Sequence, residues 1–177
     1  MAELGGVATR SQLLTVATRR QIQALLVTGE LVRIQRDRYA LASVDDADRI
    51  ATGIGGVLAL TSAAMRHGWA VKEVPERPHV MVGRGRRMPK GYQLATVHRG
   101  ELRAADVADG ATRPAVTLEH CLRRLPFDEA LCVADSALRS GFPRRKLLAI
   151  ADSARGPGSL QMVRVGHAAS AQAANVF

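Results

Sequence analysis

The sequence predicts an α+β protein that is mainly helical and carries a small antiparallel sheet. Three observations predict this: two helix-start signatures nine residues apart near the N-terminus, a pair of alternating segments directly after them, and helical periodicity through the last third of the chain.

The helix starts are "TRSQ" at 9–12 and "TRRQ" at 18–21. In each, a threonine can cap the helix and a glutamine three residues later can reach back to the cap backbone. The first helix is expected to turn Leu13 and Leu14 inward. The second gathers Ile22, Leu25 and Leu26 on one stripe at about 100 degrees per residue. Gly29 then stops it. Beyond Gly29 the residues Leu31 to Ile34 and Arg38 to Leu41 alternate with period two on either side of Gln35-Arg36-Asp37-Arg38, which predicts a small hairpin. Helix, short turn, helix and hairpin is the order of a winged helix-turn-helix, whose second helix enters the major groove of DNA.

The remainder reads as a helix-rich body. Asp45 to about Ile54 is helical and ends at Gly55-Gly56, and Thr61 is expected to cap "SAAMRH" before Gly68. "HVMV" at 79–82 and "YQLATVH" at 92–98 read as strands joined in a hairpin by "GRGRRMPKG". "VTLEHCLRRL", "DEALCVADSALRS" and "RRKLLAIADSA" read as helices, punctuated by Pro126, Gly141 and Gly156-Pro157-Gly158. The expected division is a head over residues 1–43, a helix-rich domain over 44–158 and a tail over 159–177, which either docks as one helix or frays.

With 177 residues, 47% of them hydrophobic, the chain can bury one ordinary core or two small ones. A formal charge of +9 favours an anionic partner, of which nucleic acid is the commonest. Arginine makes up 22 of the 25 basic residues, a bias that GC-rich coding would also produce. There is no apolar run long enough to span a membrane and no signal-peptide pattern at the N-terminus, so a cytoplasmic protein without membrane partners is expected.

The face of the second helix opposite its aliphatic stripe presents Arg20, Gln23, Ala24 and Val27, with Arg19 at the edge. Arginine can pair bidentately with guanine and glutamine with adenine, while small apolar side chains pass thymine methyls. Arg19, Arg33, Arg36 and Arg38 are placed for phosphate. A second anionic contact is expected in the 83–91 loop through Arg84, Arg86, Arg87 and Lys90. Its glycines are not a phosphate-binding loop, because no Gly-Lys-Ser/Thr follows. The plain alternatives are a solvated helix face and a hairpin tip kept soluble by charge.

Catalytic chemistry finds no motif. His67, His79, His98, His120 and His167 are dispersed, and carboxylates such as Asp128, Glu129 and Asp135 are expected on helix surfaces. Cys121 and Cys132 lie in helical context and are expected as buried, reduced thiols. Cys121 beside His120 has no second ligand pair, so no metal is expected. No cofactor is required.

The segments "GVATRSQLL", "RRQI", "GELVRIQRDRYAL", "VLALTSAAMRHGW", "HVMVGRGRR", "VHRGEL", "LPFDEALCVADSALRSG" and "RRKLLAIA" resemble, in their order over residues 5 to 158, the AbiEi-type antitoxin family of type IV toxin-antitoxin systems. The resemblance implies a head that binds operator DNA and represses its own operon, with a reading helix from Arg19-Arg20 and a wing tip at Arg36 to Arg38. It implies a body that counters a nucleotidyltransferase-like toxin. The chain departs from the family in four places. Only Met1 to Gly5 precede "GVATR" where relatives carry a further helix. The turn between the helices is one residue shorter, with Ala17 where relatives have glycine. Asp37 replaces the wing glycine. The sequence is expected to lack the endonuclease-like C-terminal domain of many relatives.

The expected function is thus a DNA-binding transcriptional regulator of antitoxin type, with double-stranded DNA and a toxin protein as partners. A homodimer would match a palindromic operator. The alternatives are a protein-binding antitoxin module without DNA binding and an inactive remnant of a nuclease fusion.

Overall fold

The computed structural model describes residues 7–35, 37–41, 46–89 and 92–173. The chain is α+β, as the sequence predicts. The first layer of structure is strand β1 (Val7–Thr9), helices α1 (Arg10–Val16) and α2 (Arg19–Val27), and strands β2 (Leu31–Gln35) and β3 (Arg38–Leu41). Both β1 and β2 pair antiparallel with β3, giving a three-stranded sheet in the order β1-β3-β2. Ala8, Leu13, Ile22, Leu31 and Tyr39 close a small core of their own between these strands and helices. Leu25 and Leu26 pack at its margin, as their stripe predicts. Leu14 does not. It is 39% exposed, because a helix of only seven residues offers the core a single inward turn, and Leu13 takes it.

The rest of the chain is built on a second sheet. Its strands are β4 (Val57–Leu58), β5 (His79–Gly83), β6 (Thr96–Gly100), β7 (Val107–Ala108) and β8 (Ala111–Thr112), in the order β6-β5-β4-β8-β7. This sheet is mixed rather than antiparallel: β5 pairs parallel with β6, and β4 with β8. The "HVMV" and "YQLATVH" segments therefore do not form a hairpin. Thr96 lies beside His79, and a 3-10 turn stands at Tyr92–Leu94 where a strand was expected. A period-two pattern reports that a segment is extended, not which way it runs. The linker here is long enough for the crossover that a parallel pair needs.

Helices cover both faces of this sheet. On β5, Met81 faces one core while Val80 and Val82 face the other, which is why the strand reads as an unbroken apolar run. The smaller core lies under α3 (Asp46–Gly53), through Ala51 and Ile54. The larger gathers α4 (Leu60–Arg66), α5 (Pro114–Arg124), α6 (Phe127–Arg139), α7 (Arg144–Asp152) and α8 (Ser159–Ala168) around Leu118, Leu122, Val133, Leu147, Met162 and Val165, all fully buried. The tail thus docks as a helix through residue 168. Gly166 is required where α8 crosses α7, since a Cβ there would sit 2.6 Å from that of Ala151.

Two further sequence expectations are corrected here. Thr61 does not cap α4. Ala59 occupies the cap, and Thr61 is buried within the first turn, where its hydroxyl lacks a hydrogen-bond partner among the described residues. Asp135 is not on a helix surface: it is 8% exposed and accepts the Ser170 N–H at 2.7 Å, tying the end of α8 to α6. Cys121 and Cys132 are buried free thiols, and burial pushes both thiols up. Among the described residues, no helix is long and apolar enough to cross a membrane.

Candidate nucleic-acid interface

The two N-terminal helices begin as their sequences predict. Gln12 accepts the Thr9 N–H at 2.8 Å through Oε1, and its own N–H is 3.2 Å from Thr9 Oγ1. The same reciprocal pair joins Thr18 and Gln21, at 2.9 and 3.3 Å. Between the helices the chain extends through Ala17 and Thr18, so the turn is fixed by the end of one helix and the cap of the next. Gly29, at φ +76, ends the second helix.

Anchored by Ile22, α2 holds its opposite face clear of the protein. Arg19, Arg20, Gln23 and Ala24 are exposed, and Val27 is 78% exposed. Neither Arg19 nor Arg20 enters an ion pair among the described residues, and no acidic side chain occupies the first turn. Two cations at the positive end of a helix are an unfavourable pairing that an external anion would relieve.

The hairpin lies beside this helix, with β2 packed against α2. Arg33 is exposed, although it lies opposite Tyr39 on the strand face that also carries buried Leu31. At the turn, Asp37 adopts the left-handed conformation at φ +65 that a glycine would otherwise fill. Its carbonyl accepts the Arg10 N–H at 3.3 Å, which brings exposed Arg10 next to the hairpin tip. Sequence reasoning missed Arg10, because only the pairing of β1 with β3 places it there. Arg38 lies in β3 opposite Thr9. The side chain of Arg38 and the whole of Arg36 lie outside the described residues.

The second expected contact is divided. Arg84, Arg86 and Arg87 are all exposed, and Arg86 alone of the three donates from Nε to the Ile54 carbonyl, at 2.9 Å. Arg99 reaches the same loop from β6, donating to the carbonyls of Arg84 and Arg86 at 3.0 Å. These two arginines hold the loop to the sheet and to the end of α3. Lys90 lies outside the described residues.

Two of the dispersed histidines come together. The parallel pairing of β5 and β6 stacks His79 and His98, with ring centroids 5.1 Å apart and His79 Nδ1 3.1 Å from His98 Nε2. Burial, then the neighbouring His79, Arg124 and His120, lower His98 to about 4. Among the described residues, no group of three or more ligating side chains could hold a metal ion.

No protein-family model matches the chain, and no curated protein matches it. Among solved structures, the crystal structure of the RV2827C protein from Mycobacterium tuberculosis is similar, with a TM-score of 0.50 over 93% of this chain and 75% of that one. At 18% identity, that likeness is one of fold alone.

Proposed function

We propose that the protein is a DNA-binding transcriptional regulator of antitoxin type, with β1 to β3 and the two helices among them serving as a winged helix-turn-helix head. The observation that carries this reading is the outward face of α2: Arg20, Gln23, Ala24 and Val27 lie exposed on a helix fixed by a capping box and a buried isoleucine. That is a rigid element offering base-reading side chains. Over residues 7 to 41 the head has six arginines against two acids, so its field favours a polyanion. Arg20 and Gln23 would read bases, with Arg19, Arg33, Arg36 and Arg38 on phosphates.

The resemblance to AbiEi-type antitoxins supplies the rest of the reading. The head would repress its own operon, and the helical body would neutralise a nucleotidyltransferase-like toxin. Neither role calls for catalysis or a cofactor. Binding of the purified chain to the region upstream of its own coding sequence tests the head. Co-purification with the product of the adjacent gene tests the body, and absence of any such complex argues against the toxin-neutralising part.

A further inference from the structure

A cleft of about 510 Å³ lies where α5, α6 and α7 meet, far in sequence from the proposed DNA-reading head. Arg113, which precedes α5, and Lys146, in the first turn of α7, both line it, with Ser140 at the end of α6. Among the described residues, no aspartate or glutamate does. Both cations are exposed, and neither enters an ion pair among the described residues. The aromatic part of the lining is His67, Trp69 and Phe142. Trp69 is 6% exposed, with the His67 ring 5.1 Å away and Phe142 edge-on at 6.2 Å. His67 is oriented by its Nε2, which donates to the Thr112 carbonyl at 2.8 Å.

We infer that this cleft binds a phosphate group. Two unneutralised cations beside an acid-free concavity concentrate positive potential that the chain itself does not answer. An arginine fork and a lysine point charge, with a serine hydroxyl between them in sequence, are donors of the kinds that a tetrahedral oxyanion accepts. The chain adds the same sign from its backbone. Both α5 and α7 start without a side-chain cap or an acidic first turn, whereas α6 opens with Asp128 and Glu129. The phosphate can come from a mononucleotide or from a nucleic-acid backbone. This inference does not depend on the reading of α2.

Trp69 is the single tryptophan of the chain, so its emission reports on the cleft directly. The full-length protein carrying Arg20→Ala, which removes the proposed base-reading contact of the head, is titrated with inorganic phosphate, adenosine monophosphate and a short DNA duplex. A saturable change in emission is expected with at least one of these. It should weaken roughly tenfold in Lys146→Ala and in Arg113→Gln, the loss expected for one charge-assisted contact, while far-UV circular dichroism stays unchanged. Saturation by the small phosphates alone assigns a nucleotide-type ligand, and saturation by the duplex alone assigns backbone phosphate. No saturable change with any of them, or unaltered affinity in both cleft variants, overturns the inference. Loss of operator recognition by Arg20→Ala bears only on the head, so the two readings fail separately.

Discussion

Gln21 accepts the Thr18 N–H at 2.9 Å, closing the capping box that begins α2 immediately before the two arginines. The Thr18 and Gln21 N–H groups are both satisfied by local side chains, so the helix start is fixed before any ligand arrives. Replacing Thr18 with alanine should cost about 1 kcal/mol of local stability. Amide hydrogen exchange in α2 should then accelerate about fivefold, the factor that 1 kcal/mol represents. Exchange rates equal to those of the wild type would mean that the box does not fix the helix.

Arg86 is exposed and also ties its loop to the end of α3 through its Nε. Its guanidinium occupies the space that a Cβ on Gly55, at φ +68, would take. Arg86→Ala should lower stability by about 1 kcal/mol, as expected for one lost hydrogen bond to a carbonyl, and leave DNA affinity unaltered. Gly55→Ala should cost more, because it strains the backbone and also displaces the Arg86 guanidinium from its bond to Ile54. Urea unfolding alongside DNA titration checks both. A fall in DNA affinity with unchanged unfolding for Arg86→Ala would return this residue to the binding surface.

The histidine pair makes stability depend on pH. One ring must donate to the other across 3.1 Å, and with both protonated no acceptor remains. The folded His98 titrates at about 4, below its ordinary 6.5, chiefly through burial. Its contribution is therefore full above pH 6.5, is lost as pH falls from 6.5 towards 4, and levels off below that. Urea midpoints across this range should show a shallower slope for His98→Gln than for the wild type. Identical slopes would contradict the assignment.

The local elements were legible because local chemistry sets them. The paired Thr and Gln residues specified both helix starts, Gly29 the end of α2, and Asp37 a left-handed turn suited to the residue type. What depends on distant partners was not legible. The direction of β6, the meeting of His79 with His98, and the placement of Arg10 beside the hairpin all follow from strand pairing that no short pattern encodes. Thr61 shows the same limit in reverse: a threonine of a type that caps helices lies two positions past the cap, buried by the packing of α4 into the core. Of the candidate site, the exposed face of α2 was readable from periodicity. The capture of Arg86 by Ile54 required the folded chain.

The measurement that tests the central claim most directly is equilibrium binding of wild type and Arg20→Ala to two duplexes, one from the region upstream of the coding sequence and one a scrambled copy. The wild type should prefer the upstream duplex, and Arg20→Ala should lose about 1 to 3 kcal/mol on it with little change on the scrambled one, collapsing the preference. Equal loss on both duplexes, or no binding by the wild type at low salt, would contradict a base-reading role for α2.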